Sequence, residues 1–125
     1  MQRVTFGKGE TIFSEGEPSV FCYKVLSGSV EIFLSDPSSP SKRNSASVAI
    51  CGPGEIIGEM GVIEDAPRSA TAKATELTVC MSYSADEIVS LLVDEPREAL
   101  AYVRTLIRRI RQTNRRVFFP DSRDT

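Results

Sequence analysis

A chain of 125 residues, 41% of them apolar and 26% charged, is long enough for one globular domain with its own core. It has no histidine, which removes the commonest metal ligand and the usual neutral-pH base, and no apolar run of membrane-spanning length. These features predict one cytoplasmic domain over 1–125, without metal, cofactor or membrane partner. The net charge of −2 hides an asymmetry, because Arg97, Arg104, Arg108, Arg109, Arg111, Arg115 and Arg116 crowd toward the C-terminus. Such a cluster is more often a solvated helix face than a nucleic-acid contact, so nucleic acid is not an expected partner of this chain alone. Cys22, Cys51 and Cys80 each sit in an apolar, strand-like setting without C-x-x-C spacing, which predicts buried, reduced thiols.

Taken in order, Phe6 to Glu10 reads as a turn into a short strand, Thr11-Ile12-Phe13, and Ser14 to Pro18 turns again. Val20 to Leu26 is a β-rich run. Ser27-Gly28-Ser29 passes it to a second run, in which Val30, Ile32 and Leu34 alternate with Glu31 and Phe33, and the pair reads as a hairpin. Ser35 to Ser47 is rich in serine and proline and reads as a mobile loop, with Lys42-Arg43 as its basic point. Val48 to Cys51 is the next strand. After Gly52-Pro53-Gly54-Glu55 and a short helix near Gly58 to Ile63, two more strands follow, from Ala70 to Thr75 and from Leu77 to Tyr83. Seven or eight short strands with closely spaced turns predict an antiparallel sandwich or jelly roll.

The pattern changes at Ser84. Ser84-Ala85-Asp86-Glu87 is a capping box, and Asp94-Glu95-Pro96 opens a second helix. Leu100, Val103, Ile107, Ile110, Asn114 and Val117 recur at three- and four-residue intervals, a heptad seam. Two readings are open: a helix packed on its own barrel, or a homodimer joined through this helix.

The densest chemistry lies between Gly52 and Ala72. Gly58 lets a ligand approach the main chain, and the amides after it open a helix, where partial positive charge favours an anion. Arg68 brings a permanent cation whose planar donor fork matches phosphate, with the Ser69 hydroxyl beside it. Glu59 accepts only, which suits a sugar hydroxyl and not a phosphate. Together they describe a site for a phosphate joined to a ribose.

Gly58-Glu59-Met60 and Pro67-Arg68-Ser69-Ala70-Thr71 resemble the phosphate-binding cassette of cyclic nucleotide-binding domains, with the Glu-to-Arg spacing of the kinase and channel branches. The pattern of Phe6, Gly9, Ile12-Phe13, Glu15-Gly16, Tyr23, Val25, Gly28 and Val30 resembles the first strands of the same family, so the likeness covers nearly all the chain. It implies a β-roll over 4–83 with C-terminal helices over 84–118. It also implies a regulatory sensor of a 3′,5′-cyclic nucleotide that moves its C-terminal helix, and an effector this sequence does not name. By resemblance the ligand residues are Gly58, Glu59, Met60, Arg68, Ser69 and Ala70. Arg108 to Asn114 is similar to the stretch that caps adenine in the catabolite-activator branch, which adds Thr113 and Asn114 and favours cAMP, with cGMP left open by chemistry. The alternative is the sensor fragment of a catabolite-activator-type transcription regulator. A jelly-roll enzyme is the third reading, and the lack of histidine and of a paired-acid spacing speaks against it.

Overall fold

A computed structural model of the chain describes residues 1–35 and 45–118; for Ser45 and for residues 112–118 only the backbone is described. Two compact units emerge, Met1–Ser90 and Leu91–Thr125. In the first, the strands are β1 (Gln2–Phe6), β2 (Thr11–Phe13), β3 (Cys22–Ser27), β4 (Val30–Ser35), β5 (Ser45–Cys51), β6 (Ile56–Ile57), β7 (Thr71–Ala74) and β8 (Thr78–Tyr83). The short helix α1 (Glu59–Glu64) interrupts them after β6. They form two four-stranded antiparallel sheets, ordered β1-β8-β3-β6 and β2-β7-β4-β5. This is the jelly-roll-like β-roll expected from the strand count.

The core draws on all eight strands: Phe6, Phe13, Val25, Val30, Cys51, Ile57, Ala72, Ala74 and Cys80 pack together. Such shared burial joins the two sheets face to face in one core. All three cysteines are free and buried, as their settings predicted. Burial pushes the Cys22 thiol up to about 12 and the Cys80 thiol up to about 11, so both stay protonated at neutral pH and are poor nucleophiles.

Two local expectations are corrected. Val20–Leu26 and Val30–Leu34 are not a hairpin: β3 pairs with β8 and β6, whereas β4 pairs with β5 and β7 in the other sheet. Alternation reports that one face is buried, and says nothing of which strand lies alongside. Gly28 makes the crossing between sheets. Its φ is +97°, and a Cβ there would lie 2.6 Å from the Leu77 carbonyl oxygen. The Thr78 hydroxyl holds the same corner by accepting from the Ser29 amide at 3.1 Å. The true neighbour pair is β4–β5, registered from Val30↔Cys51 to Ser35↔Ser45. Consequently Ser35 and Ser45–Ser47, read as loop, are strand residues, while the rest of that segment, with Lys42 and Arg43, lies outside the described residues.

The helix α2 (Ala85–Asp94) starts at the expected capping box: the Ser84 amide donates to Glu87 Oε1 at 2.9 Å, and the Glu87 amide donates to Ser84 Oγ at 3.2 Å. Such reciprocal capping contributes about 1 kcal/mol. The second unit holds α3 (Pro96–Phe118), with Pro96 in its first turn, where no amide donor is needed. Along it Leu100, Val103, Ile107 and Ile110 are exposed, as are Arg104, Arg108 and Arg111. Among the described residues no helix is long and apolar enough to cross a membrane.

Candidate nucleotide site

The site is assembled where the chain leaves β6, turns through α1 and returns into β7. Gly58 caps α1 at φ 76° and ψ 9°, a left-handed conformation that costs a side-chain-bearing residue strain. Space demands glycine here as well. A Cβ would lie 2.6 Å from Arg68 Nη1 and 2.9 Å from Phe13 Cε2. The helix ends after six residues because Asp65 also turns left-handed, at φ 55°, its amide donating to the Gly61 carbonyl. Pro67 follows and blocks resumption of the helix.

Arg68 is fixed at both its backbone and its side chain. Its amide donates to the Glu17 carbonyl at 2.7 Å, and its carbonyl accepts from Gly16 at 2.9 Å, so the turn after β2 clamps the peptide. The side chain runs inward and is only 7% exposed. Nη1 donates to the Gly58 carbonyl at 3.0 Å and Nη2 to the Phe21 carbonyl at 2.5 Å. The guanidinium carbon stands 4.2 Å from the centroid of the Phe13 ring. Nε is buried with no hydrogen-bond partner among the described residues. Burial therefore pulls the Arg68 pKa down, with Tyr23, Cys22 and Glu17 opposing the shift. The group nonetheless stays a cation at neutral pH, partly stripped of water and met by neutral carbonyls and a ring face. An anion of matching geometry would complete it.

Beside it Glu59 opens α1 with its side chain buried at 1% exposure, and Val62 buries the next turn of the same helix. Met60 is 54% exposed, Ser69 is exposed and Ala70 is half-buried. The structure thus brings Gly58 and Arg68 into direct contact, sets Glu59 next to them in the chain, and leaves Met60 and Ser69 open to solvent. Thr113 and Asn114 fall within α3, but their side chains lie outside the described residues. Phe13 and the Phe21 carbonyl were not foreseen as members of the site. Both are far from Arg68 in sequence, and only the Ile12-Phe13 pair carried a family signal.

The sequence profile of the cyclic nucleotide-binding domain matches residues 3–95. The chain belongs to the cyclic nucleotide-binding domain family. It is 32% identical over 114 residues to a CRP-like cAMP-activated global transcriptional regulator of Mycobacterium tuberculosis, covering 91% of this chain and 49% of that protein. The catabolite activator protein of Thermus thermophilus superposes with a TM-score of 0.76 at 29% identity, covering 93% of this chain and 53% of that one. A c-di-GMP-responsive global regulator of Xanthomonas campestris gives 0.80 at 27% identity, covering 96% and 60%. The chain spans about half the length of its curated Mycobacterium and Thermus relatives.

Proposed function

We propose that the chain is a cyclic nucleotide sensor that binds cAMP at Gly58, Glu59, Met60, Arg68, Ser69 and Ala70. The observation that carries this reading is the buried Arg68 guanidinium with an unpartnered Nε, set against the left-handed Gly58 turn. In this reading Arg68 and Ser69 hold the cyclic phosphate, and Glu59 accepts from the ribose 2′-hydroxyl. The module binds and reports; it performs no reaction.

Competition against labelled cAMP tests the assignment. Removing the 2′-hydroxyl deletes its hydrogen bond to Glu59, at about 1–3 kcal/mol. 2′-Deoxy-cAMP will therefore compete roughly five- to 150-fold less well than cAMP. On the likeness of Arg108 to Asn114 to the adenine-capping stretch, cAMP will also outcompete cGMP, and Thr113→Ala with Asn114→Ala will narrow that difference. A preference for cGMP would reverse the choice of base and leave the cassette assignment standing.

The output of such a sensor runs through α3. A ligand moves an element only if it binds one arrangement better than the other. Hydrogen exchange from Pro96 to Val117 will change when cAMP is added, and an unchanged profile would make the site static. The names of the relatives favour a second reading of the output, in which this chain is the sensor part of a catabolite-activator-type transcription regulator. That reading keeps the same ligand site and differs only in what α3 is joined to.

A further inference from the structure

The remaining question at Arg68 is what holds its donor fork at one angle before any ligand arrives. A guanidinium is planar, and all five of its N–H bonds lie in that plane. Two acceptors, the Gly58 carbonyl at 3.0 Å from Nη1 and the Phe21 carbonyl at 2.5 Å from Nη2, pin two points of it. Two points leave one motion, a rocking about the line that joins them. The Phe13 ring, with the guanidinium carbon over it at 4.2 Å from its centroid, opposes that motion by contact.

Phe13 is in turn packed against other rings. It stacks on Tyr23 with centroids 6.5 Å apart and planes 18° apart, and Tyr23 meets Phe6 edge-on at 5.8 Å. Phe6 and Phe13 are both buried members of the core. The glycine at position 58 belongs to the same arrangement, since only a residue without Cβ leaves room for the ring edge and Nη1 together. An aromatic face suits this position for a second reason. It attracts a cation without accepting a conventional hydrogen bond, so it takes none of the donors that a phosphate needs. A carboxylate or amide in its place would occupy them.

We infer that Phe13 is the positioning residue of the anion site, an aromatic platform that orients the Arg68 fork for an incoming phosphate. The inference rests on the ligand-site reading above. The ring–cation attraction is present with and without ligand, so most of it cancels in the affinity. What does not cancel is the ordering of a long side chain, about 0.5–1.5 kcal/mol when it falls due on binding, which is a two- to roughly twelvefold loss.

The test uses Phe13→Leu, which keeps an apolar side chain and removes the flat face. Nitrogen relaxation at Arg68 Nε in the ligand-free protein will show an ordered side chain in the parent and a mobile one in Phe13→Leu. Affinity for cAMP in Phe13→Leu will fall two- to about twelvefold. In an Arg68→Lys background the same substitution will change affinity little, because an ammonium has no plane to orient. An Arg68 side chain as ordered in Phe13→Leu as in the parent would overturn the inference. So would an equal loss in both backgrounds, which would mark Phe13 as core packing alone. Failure of the parent to bind any cyclic nucleotide would sink the proposed ligand; the relaxation comparison needs no ligand and would still decide what Phe13 does to Arg68.

Discussion

Arg68→Ala will weaken cAMP binding by about 2–5 kcal/mol, roughly thirtyfold to several thousandfold. The size follows from where the charge sits. Arg68 is 7% exposed, its side chain meets two neutral carbonyls and a ring face, and burial already lowers its pKa. A phosphate placed there meets a cation that water screens poorly, and truncating the cation leaves the anion desolvated without compensation. The substitution also strips a donor from the Gly58 and Phe21 carbonyls, so it will cost some stability in the ligand-free protein. Thermal melts separate that cost from affinity, which calorimetry measures on the folded variant. Arg68→Lys will fall between the two, because it restores the charge and not the paired donors. Parent-like affinity in Arg68→Ala would remove Arg68 from the site.

The second large effect is expected at Gly58. Alanine there must adopt φ near 76°, at about 1–2 kcal/mol, and must push aside Arg68 Nη1 and the Phe13 ring edge, for which overpacking adds about 1–3 kcal/mol. The long Arg68 side chain gives way more readily than the ring. Gly58→Ala will therefore fold with lowered stability and a displaced guanidinium, and will lose affinity as well. Gly54 supplies the control, since its φ is also positive, at 91°, yet a Cβ there meets nothing within 4 Å. Gly54→Ala carries the backbone strain alone. The difference between the two variants in urea unfolding and in cAMP affinity reports the crowding at Gly58. Identical behaviour of the two would show that Gly58 is needed only for its backbone.

What could be read from the sequence was what neighbouring residues decide among themselves. The start of α1 after Gly58, its end within a residue of Ile63 and the Ser84–Glu87 capping box are all set within a few positions, and each formed where expected. Long-range pairing was not legible in the same way. β1 lies beside β8, and β3 and β4 part into different sheets at Gly28, because pairing depends on partners that alternation does not name. The two-residue strand β6 is too short to leave any periodic trace. In β8 the buried positions include Thr78, Cys80 and Ser82, while Leu77 just before it is exposed, the reverse of what hydropathy suggests. The hydroxyls explain part of this: Ser82 Oγ donates to the Gln2 carbonyl at 3.0 Å, and Thr78 Oγ1 accepts from the Ser29 amide, so burial leaves neither unsatisfied. At the site, Arg68 stood out by its motif, whereas Phe13 and the Phe21 carbonyl enter only through folding.

The central claim, that a cyclic phosphate meets the Arg68 fork, is tested most directly at Arg68 Nε itself. That N–H is buried and has no acceptor among the described residues. Its proton resonance will move and saturate as cAMP is added to the parent protein, with the same midpoint as the calorimetric titration. A cAMP titration that saturates elsewhere in the protein and leaves the Arg68 Nε–H resonance unmoved would contradict the account.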